Sequence, residues 1–258
     1  MKDKKLLFAS DFDHTLSQYP HGVRKETVEA IQAFRKKGNI FGIITGRNYA
    51  TASYILNDCG YFCDFIMCMT GAYAMDGEGK MIFEYNGDGK ALPEILKMLH
   101  GEGGIYLSFS DRTFTYDFDV ENPVDWDSEE IRKIINRENF TQINTKYEPI
   151  EKAVEVKERL VKLYGDKVNP QMNGSCLDIP PVGVSKAGAV RRMAEYFGVA
   201  DGNIFTAGDN NNDVPMLDAF HGYSVPHGTD AAKAAAEKIF PAVELMIEDA
   251  VAVAGDCQ

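Results

Sequence analysis

The amino-terminal part of the chain gathers its apolar residues into short unbroken runs, KLLFAS (5–10), NIFGIIT (39–45) and FIMCMT (65–70), each leading into polar residues. A run of this kind fits a strand buried on both faces, as in the interior of a parallel sheet. Between the first two runs the period changes. Val28, Ile31 and Phe34 recur three apart, which predicts a helix from about Arg24 to Lys37 closed by Gly38. A second helix, about Tyr49 to Asn57, leads through Gly60 to the third run. The resulting βαβαβ alternation predicts a parallel sheet with right-handed crossovers.

After Gly71 the pattern becomes mixed. YAMDGEGKMIFEY predicts a hairpin turning at Asp76-Gly77 and Glu78-Gly79, and YLSFSDRTFTYDF (106–118) alternates as antiparallel strands do. Helical spacing returns near Leu92–Leu99, Ser128–Asn136 and Ile150–Leu163. From Ser185 the earlier alternation resumes: a helix to Phe197, the buried strand NIFTAGD (203–209), a short helix at Asp213–Phe220, a strand near Tyr223–Pro226, and helices at Ala231–Lys238 and Val243–Val253. The expected fold is therefore α/β. A discontinuous, Rossmann-like parallel-sheet domain (1–73 and 179–258) carries an inserted α/β lobe (74–178).

Composition narrows the class. With 258 residues, 45% hydrophobic and 26% charged, the chain reads as globular and not as disordered. No apolar stretch approaches the roughly 20 residues that cross a bilayer. Five cysteines without an export signal predict a reducing, cytoplasmic setting. The net charge of −12 argues against nucleic acid as a partner, since that calls for a basic face. It also means that any phosphate site must be made locally positive by a metal, a lysine or backbone N–H groups.

Ligands of open parallel sheets bind beyond the carboxyl ends of the strands. Asp11 and Asp13, Thr45, and Asp209 with Asp213 all follow expected strands, and Lys186 opens the helix after the inserted lobe. In extended chain, residues two apart point the same way, so Asp11 and Asp13 can share a pocket. Two carboxylates that close call for a cation between them, and oxygen donors favour a hard ion such as magnesium. As an isolated DxD, the pair would read more simply as turn or cap residues. The second acidic group, GDNNND (208–213), changes that balance. There Asp209 is a candidate ligand, and Asp213 can bind the metal or hold its waters. Gly208 permits close backbone approach, although Asp and Asn also favour helix starts in their own right. The Thr45 hydroxyl suits a phosphate oxygen. Lys186 supplies the required fixed charge, although a lone lysine is more often solvated surface.

DFDHTL, ITGR, the lysine of VSKAG, and GDNNND together resemble, in order and content, the four motifs of the haloacid dehalogenase-like phosphohydrolase superfamily. The inserted lobe is similar in position to that superfamily's type-two cap. MTGAYAMDGEGKMI and CLDIPPVGVSKAGAV resemble its Cof-type, subclass IIB branch. The resemblance implies that Asp11 is the nucleophile forming an aspartyl-phosphate and that Asp13 is the acid–base. It implies that Thr45, Gly46, Lys186 and Asn212 hold the phosphoryl group. Magnesium would be bound by Asp11, the carbonyl of Asp13, and Asp209, with Asp213 in support. The expected activity is hydrolysis of a small phosphomonoester, a sugar phosphate or related metabolite. A phosphomutase or phosphotransferase sharing the aspartyl-phosphate, and a silent phosphate-binding regulator, are the alternatives.

Other residues carry plainer expectations. His14, where relatives often have a small residue, reads as a loop filler. Thr70 stands in TGA where the branch often has asparagine, which weakens any substrate contact there. Cys59, Cys63 and Cys68 match no zinc spacing and read as buried hydrophobes. His221 and His227 read as structural or surface residues. Arg47 is divided between a substrate contact and a salt bridge, and the aromatics of 106–118 read as core more than as ligand surface.

Overall fold

Every residue of LFASD is buried, so the first apolar run has neighbours on both faces and forms the strand β1 (Leu7–Asp11). The computed structural model describes residues 5–17, 22–58 and 62–256; Cys59 and Gly60 lie outside them. The chain continues through α1 (Lys25–Lys36), β2 (Ile40–Ile44), α2 (Tyr49–Asp58), β3 (Phe65–Cys68), β4 (Tyr73–Asp76) and β5 (Met81–Glu84). The inserted stretch holds β6 (Gly87–Asp88), α3 (Leu92–Gly101), β7 (Tyr106–Ser110), β8 (Thr115–Phe118), α4 (Glu129–Ile135), β9 (Asn139–Phe140), β10 (Gln142–Lys146), α5 (Ile150–Tyr164), β11 (Gln171–Asn173) and β12 (Cys176–Ile179). The return supplies α6 (Lys186–Phe197), β13 (Ile204–Gly208), α7 (Val214–Ala219), β14 (His221–Ser224), α8 (Asp230–Ala235), β15 (Lys238–Ile239) and α9 (Val243–Asp256).

Two compact units result, one from residues 1–83 and 186–258, the other from 84–185. The sequence pattern had placed these divisions at 73/74 and 178/179. The difference at the first lies in the expected hairpin: β4 pairs antiparallel with β3, Phe65 facing Asp76, and β5 follows it at the edge of the same sheet.

The first unit is an eight-stranded sheet in the order β15-β14-β13-β1-β2-β3-β4-β5. Its central strands are parallel, with Leu7 opposite both Ile40 and Ile204. The connection after β1 runs to one side and the return enters on the other, so β1 is the switch point where a crevice opens at the strand ends. On one face Leu7, Ala9, Ile44, Phe65 and Met67 pack with Ala189, Val190 and Met193 of α6. On the other, Phe8 stacks on Phe41 and Tyr223, with ring centroids 5.8 and 6.1 Å away. Each such fully buried side chain contributes about 1.5–3 kcal/mol of transfer free energy. Gly42 in β2 makes room for this packing, because a Cβ there would lie 2.0 Å from the Phe65 ring.

The second unit is a five-stranded sheet ordered β11-β12-β10-β7-β8, antiparallel throughout. Its core joins Leu92, Leu96 and Leu99 of α3 to Phe109, Ile143 and Leu177 of the sheet and Val156 and Leu160 of α5. Phe109 and Phe118 are core residues, while Phe114 is exposed at the hairpin turn. Among the described residues, no helix is long and apolar enough to cross a membrane.

Candidate active site

The register of the first sheet brings the motif residues to one level. Asp11 closes β1 opposite Ile44, one residue before Thr45, and Ser10 stands opposite Ala207, two before Asp209. Asp11, Asp209 and Asp213 are buried, and one carboxylate oxygen from each lies within 4.8 Å of the others. Lys186, only 1% exposed, donates from Nζ to Asp11 Oδ1 at 2.6 Å and to Asp213 Oδ1 at 2.5 Å. Asp213 Oδ2 accepts the backbone N–H groups of Asp209 and Asn210, each at 3.0 Å. Both Asp213 oxygens are thus engaged in fixing the lysine and the loop. Gly208 permits this, since a Cβ there would lie 2.4 Å from the Asp213 Cβ.

Burial sets the electrostatics. It raises the Asp11 carboxyl well above its ordinary value; Lys186 pulls the other way, while Asp213 and Asp209 push further up. Asp209 is raised for the same first reason, against a hydrogen bond from Thr15 Oγ1 to its Oδ1 at 2.7 Å. Burial alone would lower the Lys186 ammonium, but Asp11 and Asp213 outweigh it and hold the group above its usual range. Three carboxylates around one ammonium leave a buried surplus of negative charge. An all-oxygen donor set in that state fits a hard divalent cation. Asp11 and Asp209 are the residues with carboxylate oxygens to offer it, and Asp213 supports them through Lys186 and the loop.

Asp13 is turned to a different partner. Its two oxygens accept Nε and Nη2 of Arg47 at 2.8 and 2.7 Å, and burial is partial on both sides. That hydrogen bond raises the Arg47 guanidinium further above its already high value. Thr45 is buried; its Oγ1 accepts the Arg47 N–H at 3.1 Å, and its carbonyl accepts the Thr70 N–H at 3.0 Å. Gly46 lies between Thr45 and Arg47, and Asn212 is buried just ahead of α7. Three non-glycine residues beside the site, His14, Met69 and Thr70, hold φ of 65°, 49° and 57°. Left-handed backbone of this sort is strained and persists where its surroundings impose it.

Several contributors escape a reading of the motifs. Thr15 reaches Asp209 across 194 positions. His227 Nε2 donates to the His14 carbonyl at 2.7 Å, and Thr229 N–H donates to the Asp209 carbonyl at 2.8 Å. His227 and Thr229 follow β14, so a third loop braces the first and fourth motifs. A threonine two residues past an acid–base candidate is a signal that sequence offers; the His227 tie depends on tertiary structure alone. His221 stacks on Phe205 with centroids 4.9 Å apart and faces Glu237, away from this chemistry. Cys63 and Cys68 are buried thiols, Cys63 pushed up by burial to about 12.

Comparison with known proteins agrees with this architecture. Residues 8–253 match the family model of haloacid dehalogenase-like hydrolases. A protein of Buchnera aphidicola subsp. Baizongia pistaciae named "Putative phosphatase" is 26% identical over 235 residues, 82% of each chain. Among solved structures, a haloacid dehalogenase-like hydrolase from B. subtilis superposes with a TM-score of 0.81 at 18% identity, over 96% of this chain and 99% of its own. A subclass IIB sugar phosphatase does so with a TM-score of 0.77 at 18% identity, over 95% and 98%. The chain belongs to the haloacid dehalogenase-like hydrolase family, and its fold is that of the solved structures it superposes on.

Proposed function

We propose that this enzyme hydrolyses a small phosphomonoester, a sugar phosphate or related metabolite, with magnesium, through an aspartyl-phosphate on Asp11. The observation that carries the reading is Lys186, buried and bonded at 2.6 Å to Asp11, with Asp209 across the same pocket. The names of the relatives support it: one is called a phosphatase and one a sugar phosphatase. Free thiols at Cys63, Cys68 and Cys176 support a cytoplasmic setting.

In this reading an Asp11 carboxylate oxygen attacks phosphorus. A P–O bond forms to Asp11, the P–O bond to the leaving group breaks, and the departing oxygen takes the proton of the Asp13 carboxyl. Asp13, now a carboxylate, removes a proton from water as that water attacks the phosphoryl group. The bond to Asp11 breaks, inorganic phosphate leaves, and both aspartates return to their starting forms. Lys186 holds the nucleophile and the phosphoryl oxygens, aided by Thr45, Gly46 and Asn212. Magnesium held by Asp11, the Asp13 carbonyl and Asp209, with Asp213 in support, would supply neutralisation of the phosphoryl charge.

The test is turnover of a broad phosphoester panel with magnesium and with a chelator, for the wild type and Asp11→Asn. We expect magnesium-dependent phosphate release, with Asp11→Asn slower by ~10³-fold or more. Substantial turnover in that variant would sink the nucleophile assignment, and isomer formation in place of phosphate release would identify a mutase.

A further inference from the structure

We propose that Arg47 is the positioning residue for Asp13, fixing the plane of its carboxylate for proton transfer; this rests on the acid–base role proposed for Asp13. The contact is a two-point fork, Nε and Nη2 of one guanidinium on the two oxygens of one carboxylate at 2.8 and 2.7 Å. A single-point contact leaves the carboxylate free to rotate, whereas a fork fixes both its direction and its plane.

Both partners stand on braced backbone. Arg47 N–H donates to Thr45 Oγ1 at 3.1 Å, and its carbonyl accepts Met69 N–H at 3.0 Å. Met69 opens the left-handed turn, so the carbonyl side of Arg47 is tied to a segment that is itself constrained. On the other partner's side, Asp13 bridges to Ser17, His14 N–H donates to Ser17 at 3.1 Å, and His227 holds the His14 carbonyl at 2.7 Å.

Stability gives little reason for such an arrangement. The two side chains are 36% and 44% exposed, and ion pairs at that exposure contribute little to folding. Orientation gives a good one. In the second half of the chemistry proposed for Asp13 it is a carboxylate removing a proton from the attacking water, and that is the form a charged guanidinium fork holds in place. A carboxylate displaced by even about 1 Å loses on the order of 10²-fold in rate. The competing role for Arg47 is direct recognition of an anionic group on the substrate, and it makes different demands. Recognition needs charge within reach, which a lysine can supply; positioning needs the fork, which it cannot.

Steady-state turnover of p-nitrophenyl phosphate with magnesium separates the two, using Arg47→Met, Arg47→Lys, Asp13→Asn and the double variant Asp13→Asn/Arg47→Met. Thermal melting of each variant confirms the fold. We expect Arg47→Met to lower kcat by about 10- to 100-fold while KM changes little. Arg47→Lys should recover only a minor part of that loss. The double variant should be no slower than Asp13→Asn alone, because a positioning residue has nothing left to position. A raised KM at unchanged kcat, full recovery with lysine, or losses that multiply in the double variant would each overturn the proposal. Those results leave the acid–base role standing if Asp13→Asn is itself slow. Full turnover in Asp13→Asn would remove that role, and this inference with it.

Discussion

Asp11 is held in the fold at a cost. Burial disfavours its charge, two neighbouring carboxylates add to the penalty, and Lys186 offsets only part of it, so its proton affinity rises. A folded carboxyl raised above its unfolded value binds more protons than the unfolded chain does. It therefore removes stability as pH climbs through and beyond that range. Asp11→Asn keeps the shape and deletes the charge. With a chelator present near neutral pH, we expect this variant to melt at a higher temperature than the wild type while being nearly inactive. Adding magnesium should raise the melting point of the wild type and leave Asp11→Asn much less affected, which differential scanning calorimetry would show. Thr15 acts on the same pocket more gently. Thr15→Val removes the 2.7 Å hydrogen bond to Asp209 without changing side-chain volume much. Loss of such a supporting hydrogen bond weakens a metal by about 10- to 100-fold, so the magnesium concentration giving half-maximal activity should rise within that range.

The elements differ in how openly the sequence declares them. NIFGIIT and FIMCMT are legible because a strand buried on both faces must be apolar at every position. β10, QINTK, is not. It is the middle strand of its sheet, yet two of its residues are polar and buried, Gln142 and Thr145. Thr145 satisfies its hydroxyl on the Tyr106 carbonyl at 2.8 Å, a partner that exists only once the sheet has formed. The stretch Ala231–Lys238, expected to be one helix, ends its helix at Ala235 and gives Lys238 to β15, whose Lys238 pairs with Tyr223. Here edge pairing overrode a helical composition. The site shows the same division: Asp11, Asp13, Thr45, Lys186, Asp209 and Asp213 could be named because each follows or opens an element. The Arg47 fork and the His227 tie could not, since neither partner's sequence neighbourhood points to the other.

Elements also carry a pH signature at the packing of α1 on α9. Arg24 and Thr27 both donate to Glu244, Thr27 at 2.7 Å. Burial pushes this carboxyl up, but the Thr27 hydroxyl, a backbone N–H and Arg24 bring it net below its ordinary 4.5. A depressed carboxyl contributes stability above its unfolded value and loses it as pH falls through the folded one. Glu244→Gln should therefore lower the melting temperature near neutral pH. The gap from wild type should close below pH 4.5, as a melting series in acid would show.

At the scale of the whole chain, the two units have separate interiors. The core of the second joins Leu92 through Ile179 and draws only on residues of that unit. An excised 84–185 fragment should accordingly fold alone, with a cooperative thermal transition and native-like far-ultraviolet circular dichroism. The first unit has no such independence, because β1 lies between β2 and β13, with Leu7 pairing to Ile204. Pairings that span most of the chain are slow to form, and a growing chain emerges from its amino terminus. During synthesis Asp11 emerges early, but Lys186 and Asp209 follow only after the inserted unit is complete. An interrupted or truncated chain therefore cannot assemble the cluster of Asp11, Lys186 and Asp209. In the growing chain, catalytic competence is among the last properties acquired.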